Sequence, residues 1–502
     1  MERRRRQCDG AAPPAPPLGH PRLLAAHAAA PAFAIHAARL SRRRRARPDF
    51  RRRRPVTLAF SKDAVQRALS GHAAIGLLAS ALLYLICLTG TVVVFYQEWQ
   101  RIEQPNAPEM AAIAPDAVQR AVAAVLASEK GKPATTHLYV HMPVGGLPRT
   151  TITTDHQAVH IDADGRIAMP EENAWSEFLL HAHYSLNIPG LVGMTIVGIF
   201  GVMILALTLS GIVAHPRIFR DAFRLRARDN HGVGLADWHN RLSVWTLPFS
   251  LAIALTGAMI GLGVVGAHGL AAAFYNNDVE AAYAPIFGEE HGADARPAPL
   301  ANVAAPLAWL ARNHPEVRPT YVILHDPQTR GQHIQLIAEH PRRLIYGETY
   351  QFGADGGYHG KVGLSDGHMG QQLAASTYNL HFGNYGGLPV KLAYIVFGLA
   401  LTIVVATGTS IWLGKRQRRG LHEPRLRAGW DGVIWGVPLA LTLTFLARLL
   451  IGNGAPLIAI FWTLTIAIPL LAIAFAARRP KRLLQYLLCG SLALALASWS
   501  VV

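Results

Sequence analysis

Long, uninterrupted apolar runs constrain this chain more than any other feature. A bilayer core requires about 20 mostly apolar residues in each spanning helix. Seven segments meet or approach that length: 72–96, 190–214, 243–268, 388–413, 432–451, 455–477 and 483–502. Only 16% of the 502 residues are charged, against about 25% in soluble proteins. The sequence therefore predicts a mainly α-helical integral membrane protein with a seven-helix bundle that contacts lipid.

Cysteine and histidine usage narrows the chemistry that the chain can perform. The three cysteines, Cys8, Cys87 and Cys489, are far apart, and the sequence contains neither CxxC nor CxxCH. This pattern argues against a disulfide framework, a thiolate zinc site and covalent c-type haem. Histidine is the abundant ligand type, with 23 copies.

Basic charge is concentrated at the N-terminus. Residues 1–57 hold 15 arginines and three acidic residues, with Ala/Pro-rich sequence between the arginine runs. No aromatic interleaving accompanies the arginines, so nucleic-acid binding is not favoured. No short apolar core with a cleavage site follows promptly, which argues against an export signal. We interpret this segment as a disordered Arg/Pro-rich leader in the cytoplasm.

The loops between spans set the orientation. Positive charges accumulate in cytoplasmic loops of membrane proteins, and here they cluster at 215–242, 414–431 and 478–482. These three segments lie on the same side if the N-terminus is cytoplasmic. The sequence then predicts a bacterial inner-membrane protein with a periplasmic C-terminus and two polar excursions in the periplasm.

Each excursion has the pattern of a small α+β module. In the first, 116–130 has apolar residues at helical spacing, and 136–142, 149–155 and 157–168 read as strands. In the second, a helix-like stretch at 305–315 precedes strand-like stretches at 319–326 and 331–340. The predicted division of the chain is a leader 1–57, span one 65–97, module one 98–187, span two 188–214, a cytoplasmic loop 215–242, span three 243–273, module two 274–387, span four 388–413, a second loop 414–431 and three C-terminal helices 432–502.

The first four spans form a repeat. In spans one and three a histidine precedes a Leu-Thr-Gly triplet, and 18 residues separate His72 from Gly90 and His239 from Gly257. Ahead of spans two and four, His183 and His381 precede a Ser-Gly or Thr-Gly pair by 28 and 27 residues to the glycine. The first four spans therefore read as a duplicated unit of span, module, span, followed by three extra helices.

The repeat places two histidines near each membrane surface. His72 and His239 begin spans that enter from the cytoplasm, whereas His183 and His381 precede spans that enter from outside. Two imidazoles that converge between apolar helices are what axial ligation of b-type haem requires. A boundary histidine can also be a plain interfacial residue, but repeat-related pairs favour ligands, so we predict two haems b. The Ser-Gly and Thr-Gly pairs are interpreted as close helix-packing sites. His181, two residues from His183, and His215 are alternative candidates.

The chain resembles the four-span core of the PepSY-associated transmembrane family over roughly residues 65–420. The segments that carry the resemblance are LSGHAAIGLL…LTG, HAHYSLNIPGLVG…LSG, DWHNRLSVW…LPFSLAIALTG and NLHFGNYGG…ATGTSIWLGKRQRR. That family includes iron-regulated inner-membrane proteins and siderophore-linked ferric reductases. The resemblance implies that the excursions are PepSY modules and that His72, His183, His239 and His381 hold b-type haem.

These observations leave two functions open. The first is a haem-dependent electron-transfer protein that reduces a periplasmic ferric chelate (siderophore) in iron uptake. No GxGxxG fingerprint occurs, so its electrons would come from a membrane quinol or another reductase. The second is a non-enzymatic PepSY membrane protein that binds or regulates a periplasmic partner. A transporter is not favoured, because the spans lack the intramembrane carboxylates of an ion-coupled carrier.

Overall fold

The computed structural model describes residues 60–223, 233–287, 294–341 and 344–499, and the predicted leader lies outside them. The apolar runs of the sequence form long helices, because each backbone amide and carbonyl must be hydrogen-bonded within the segment in lipid. The helices are α1 Lys62–Val93, α2 Tyr96–Glu103, α3 Pro115–Ser128, α4 Ala174–Tyr184, α5 Gly190–Ala214, α6 Ile218–Asp221, α7 Val233–Trp245, α8 Leu247–Gly261, α9 Gly263–Phe274, α10 Val279–Phe287, α11 Ala304–Asn313, α12 Met369–Phe382, α13 Gly387–Arg418, α14 Pro424–Ile451, α15 Leu457–Ala474 and α16 Lys481–Trp499.

Among the described residues, five helices are long and apolar enough to cross a membrane: α1, α5, α13, α14 and α15. A sixth crossing is formed by α7 and α8 if this pair, bent by 68°, is one span. Pro248 lies just after the bend, where its missing N–H and its ring disrupt the helix. The prediction of a multi-pass membrane protein is confirmed.

Of the seven predicted spans, the described residues support five by length and composition, or six if the bent pair is counted as one span. The segment predicted as the seventh span, 483–502, corresponds to α16. This helix opens with Lys481 and Arg482 and also carries Gln485, so its apolar stretch is shorter than those of the other spans. Residues 500–502 of the predicted segment lie outside the part that the structure describes.

Small residues allow α5 and α8 to cross closely. A Cβ atom on Gly198 would lie 2.8 Å from the carbonyl carbon of Gly261, and one on Gly201 would lie 2.9 Å from the backbone nitrogen of Ala258. Helices in lipid gain little from the hydrophobic effect, so such close backbone packing is a main source of their association. This crossing joins the second span to the bent third span and thereby connects the two repeats.

The two excursions share one sheet. A helix precedes four strands in each, and all eight strands form a single antiparallel sheet in the order β4-β3-β2-β1-β5-β6-β7-β8. The strands are β1 His137–His141, β2 Thr150–Thr153, β3 Ala158–Ile161, β4 Ile167–Pro170, β5 Arg318–His325, β6 His333–Glu339, β7 Glu348–Phe352 and β8 Tyr358–Lys361.

The sequence predicted two separate small modules, and the structure differs in joining them through β1 and β5. Five residue pairs align across this junction, with Val140 opposite Val322. Each of these strands would otherwise be an edge with unpaired backbone groups. Their pairing satisfies those groups and makes one outer domain from both excursions.

One face of the sheet is covered by α3 and α11. Alternate residues of the strands, such as Leu138, Ile152 and Leu324, pack against Val118 and Leu310 of these helices, and all five are almost fully buried. The intervening residues point to the other face, as the two-residue period of a strand requires. That second face carries histidine, tyrosine and threonine side chains.

We predict that Gly198→Leu destabilises the bundle, because its side chain would need the space that the backbone of Gly261 occupies. The loss should be about 1–3 kcal/mol or more, as for other overpacked sites. Gly266→Leu on α9 is the matched control, since no atom lies within 4 Å of a Cβ there. Thermal unfolding in detergent measures both; equal midpoints would contradict the close crossing.

Candidate functional site: two histidine pairs in the bundle

The structure brings the four sequence-predicted histidines together in two pairs. The ring centroids of His183 and His381 are 6.1 Å apart, with an angle of 21° between the ring planes. Those of His72 and His239 are 6.5 Å apart, with an angle of 87°. Each pair takes one histidine from each repeat. We call them the sheet-side pair (His183, His381) and the far-side pair (His72, His239), since the first lies at the end of α1 that leads to the sheet.

The sheet-side histidines lie on α4 and α12, which are separate helices, and not at the start of α5 and α13. Backbone with positive φ separates α4 from α5 and α12 from α13. Leu186 and Asn187 have φ of 54° and 56° in the first connection, and Gly383 and Gly386 have φ of 70° and 67° in the second. A right-handed helix cannot continue through such residues. This break turns each histidine helix back onto the bundle.

Each histidine directs Nδ1 at a backbone carbonyl of a spanning helix. The Nδ1–oxygen distance is 3.0 Å for His72, His183 and His239, and His381 forms a hydrogen bond with the backbone of Ile253. The contacts are His72 with Leu207, His183 with Ile86, His239 with Val404 and His381 with Ile253. A carbonyl oxygen can only accept, so Nδ1 carries the proton and donates it. Nε2 is then the unprotonated nitrogen, with its lone pair available to a metal.

A hydroxyl group lies three residues after each carbonyl. Ser210, Thr407 and Thr256 place Oγ at 3.2, 3.0 and 2.9 Å from Nδ1 of His72, His239 and His381 respectively. Thr89 holds the corresponding position beside Ile86. These hydroxyls donate to the carbonyls of their own helices, so where they contact Nδ1 they accept a hydrogen bond from its N–H. The second contact restricts rotation of the ring.

A glycine follows each hydroxyl residue and provides space for the ring. A Cβ atom built on Gly90 would lie 2.6 Å from Cε1 of His183, and one on Gly257 would lie 2.9 Å from Cε1 of His381. The corresponding distances are 3.3 Å for Gly211 with His72 and 3.6 Å for Gly408 with His239. The sheet-side rings therefore lie closer to their glycines than the far-side rings do. A Cβ would collide with the sheet-side rings, crowd His72 slightly and make an ordinary contact with His239.

Within each repeat, the histidine that belongs to one span packs against the glycine of the other span. His72 of α1 lies against Gly211 of α5, while His183, which precedes α5, lies against Gly90 of α1. The second repeat shows the same exchange between Gly257 and Gly408. Sequence reasoning identified the Ser-Gly and Thr-Gly pairs but interpreted them as helix-packing sites. The signal that was missed is a constant spacing on each spanning helix. The residue whose carbonyl accepts is followed by a hydroxyl residue three positions later and by a glycine four positions later, as in Ile86, Thr89 and Gly90.

A cavity of about 380 Å³ adjoins the far-side pair. Both histidines and both of their glycines line it, and Leu77 and Val405 are among its many apolar neighbours. Its volume falls in the range of small-molecule and cofactor sites, roughly 300–1,000 Å³. His215 and Lys415 lie on its wall and supply polar groups.

The two alternative candidates have other surroundings. His181 contacts the hydroxyl of Tyr184 at 2.8 Å and the carboxylate of Glu177 at 3.6 Å, and 46% of its side chain is exposed. The atoms nearest to a Cβ built on Gly90 belong to His183 and not to His181. His215 lines the far-side cavity but forms no ring contact with His72 or His239 in the described part of the chain. The geometry therefore distinguishes His183 from His181.

Each histidine pair supplies two imidazole nitrogen donors. Among the described residues no group of three or more His, Cys, Asp or Glu side chains is arranged to hold a metal ion. Each pair offers two imidazoles, and no hydrogen bond occupies any of their four Nε2 atoms in the described ranges. Since an imidazole nitrogen binds metals at about 2.0–2.1 Å, two rings that share one metal end-on have centroids roughly 6 Å apart. The observed separations agree with that value.

Acidic groups surround the start of α4 outside the bundle. Burial raises the pKa of the Glu171 carboxyl to about 7, and the negative charges of Glu177 and Glu103 add to this effect against the opposing Arg149. The hydroxyl of Tyr96 donates a hydrogen bond to Glu177. The region between the sheet and α4 therefore holds a carboxyl group that titrates near neutral pH.

A known protein family matches the part of the chain that contains both histidine pairs. The sequence profile of the PepSY-associated TM region matches residues 69–415, which is more than half of the chain. The chain is also 34% identical over 132 residues to an uncharacterized protein of Pseudomonas aeruginosa. The aligned stretch is 26% of this chain and 31% of that protein, so the match spans less than a third of the relative's length.

We predict that Gly90→Ala displaces the His183 ring, because the added Cβ would lie 2.6 Å from it, whereas Gly408→Ala adds an ordinary contact at 3.6 Å. The first variant should lose about 1–3 kcal/mol of stability and the second should lose little. Thermal unfolding of both variants in detergent compares them. Equal destabilisation would contradict the difference between the two glycine contacts.

We predict that the free energy of unfolding falls between pH 4.5 and about 7 because of Glu171. The pKa of this carboxyl is higher in the folded protein than the unperturbed 4.5, so the folded state holds a proton that the unfolded chain releases in that interval. The contribution can reach about 3 kcal/mol. The plot of unfolding midpoint against pH should be flatter for Glu171→Gln than for wild type. It should match wild type for Glu172→Gln, which changes the exposed neighbouring residue. Parallel curves for all three proteins would refute the role of Glu171.

Proposed function

Since this chain belongs to the PepSY-associated TM region family, we propose that it is a transmembrane electron-transfer protein. Each histidine pair holds one b-type haem through the two Nε2 atoms, and the acceptor is a ferric chelate on the sheet side. The observation that carries the proposal is the fourfold arrangement of an imidazole with Nδ1 on a carbonyl and Nε2 unoccupied. Metal-binding histidines characteristically donate their other ring N–H in this way.

The proposed location is a bacterial inner membrane with the sheet in the periplasm. The last turn of α13 carries Arg416 and Arg418, and Arg419 follows it directly, at the end of this span opposite to the sheet. Positive charge marks the cytoplasmic side. The N-terminus is then cytoplasmic, and the far-side pair lies near the cytoplasm.

The haem supplies the one-electron chemistry, and the protein supplies position and surroundings. A carbonyl fixes the tautomer of each imidazole, and a hydroxyl adds a second contact to three of the four rings. The glycines let the rings pack closely against the spans, and apolar side chains line most of the far-side cavity. His72 and Gly90 are 18 residues apart on one helix, which is about 27 Å, so the two pairs lie one after the other across the membrane.

The proposed reaction is a one-electron reduction of chelated Fe(III) to Fe(II). Oxygen chelators hold the less charged ion more weakly, so the metal becomes available for transport. The electron donor is a membrane quinol or a cytoplasmic reductase. A quinol releases two electrons and two protons, and one quinol therefore reduces two ferric ions.

A second candidate function is the binding of a periplasmic protein without redox chemistry. The edge strand β4, Ile167–Pro170, is largely exposed, and an exposed edge can pair with a strand of another chain. This function needs no chromophore and tolerates replacement of the histidines. Absorption spectra of the purified protein therefore separate the two functions.

We predict that purified protein shows a reduced-minus-oxidised spectrum of b-type haem, with two haems per chain. His239→Ala and His381→Ala should each lose roughly half of the haem, because each removes one axial ligand from one pair. His268→Ala is the control: this exposed histidine contacts Val264 of its own helix. Absence of haem from wild-type protein expressed with ample haem, or full haem content in both variants, would contradict the proposal.

A further inference from the structure

The C-terminal helices contact α4, the helix that carries His183. The Phe445 ring of α14 lies 5.1 Å from the Trp175 ring, centroid to centroid, and the Phe461 ring of α15 lies 5.3 Å from the Phe178 ring. Trp175 and Phe178 of α4 are both buried in this cluster. The helices that follow the repeat therefore pack on the start and middle of the helix that supplies one member of the sheet-side pair.

An ion pair at the same place connects α14 to the N-terminus of α4. The Nε of Arg448 lies 3.0 Å from Oε1 of Glu103, and these side chains are only 9% and 1% exposed. Glu103 also accepts hydrogen bonds from the backbone amides of Trp175 and Ser176, at 2.7 and 2.9 Å. A carboxylate at a helix N-terminus satisfies free N–H groups and the helix dipole. Arg448 thus holds the residue that caps α4.

Two further contacts fix α4 from the C-terminal helices. Asn453, in the turn after α14, accepts the amide N–H of Ala174 at 3.1 Å. Trp462 of α15 donates to the side chain of Asn187, just after α4, at 3.3 Å. The first contact is at the beginning of the helix and the second lies beyond its end. His183 is located between them.

The equivalent helix of the second repeat is supported differently. Helix α12 is capped by its own residues, His368 and Gln371. The amide of Asn379 donates to the carbonyl of Ile345 at 2.8 Å. Within the described ranges no hydrogen bond joins α12 to α14, α15 or α16. The C-terminal helices thus act on one of the two sheet-side histidines.

We infer that Glu103 and Arg448 are positioning residues for His183, and that the C-terminal helices serve to hold α4 so that this imidazole faces His381. Arg448 acts on α4 through Glu103, which binds the amides of the first turn of that helix. The expected effect of these residues on a bound haem rests on the proposed function. Their expected effect on the mobility of α4 is independent of it.

The experiment compares full-length wild type with Arg448→Gln, which leaves the buried Glu103 without its cation. Hydrogen exchange followed by mass spectrometry should show α4 amides exchanging about tenfold faster, with α12 amides unchanged, because local opening tracks the loss of local contacts. The haem of the sheet-side pair should lose its low-spin signal in electron paramagnetic resonance, while the far-side signal persists. His183→Ala and His72→Ala assign the two signals.

Matched variants separate positioning from general damage. Arg448→Lys keeps the charge and should retain both wild-type signals. Arg416→Gln breaks a partly buried ion pair with Glu423 on the far side and should change neither α4 nor the sheet-side signal. If Arg448→Gln fails to fold, Trp462→Phe removes the contact with Asn187 and should also accelerate exchange in α4.

The outcomes distinguish this inference from the proposed function. Wild-type protein without haem overturns the proposed function, and the exchange rates still decide whether α14 and α15 hold α4. Wild-type protein with two haems, together with unchanged α4 exchange and an unchanged sheet-side signal in Arg448→Gln and Trp462→Phe, overturns the positioning role.

Discussion

The arrangement of the bundle depends on hydrogen bonds from imidazole Nδ1 to the carbonyls of spanning helices. A polar ring in a membrane needs a partner for its N–H, and the carbonyl of a helix is already bonded along its own axis. The approach is feasible because a glycine lies four residues after the carbonyl and opens the helix surface. Gly90 illustrates the constraint, since a single added methyl group would overlap the His183 ring. The same geometry recurs four times and relates the two repeats.

Sequence reasoning predicted the elements that depend on local pattern. Apolar runs gave the spanning helices, and the repeat indicated that His72 would meet His239 and that His183 would meet His381. Contacts between distant segments could not be predicted in the same way. Strand β1 ends at His141 and β5 begins at Arg318, and nothing in the alternation of either strand specifies the other as its partner. The shared sheet therefore follows from tertiary pairing.

The break between α4 and α5 shows a second limit of local pattern. The sequence from His183 to Gly190 contains polar and small residues that suit a span start as well as a turn. The left-handed backbone at Leu186 and Asn187 is stabilised by tertiary contacts, including the bond from Trp462. Likewise, the seventh predicted span was judged by length, and the polar opening of α16 shortens its apolar part.

The pairing of β1 with β5 has a mechanical consequence. Five aligned residue pairs link the outer halves of the molecule, and all of them must separate before one half can shift against the other. The two repeats can therefore part on the sheet side only if the backbone hydrogen bonds between β1 and β5 break. Among the described residues no strand pairing joins the repeats near the far-side pair, where α7 and α8 meet at a bend of 68°.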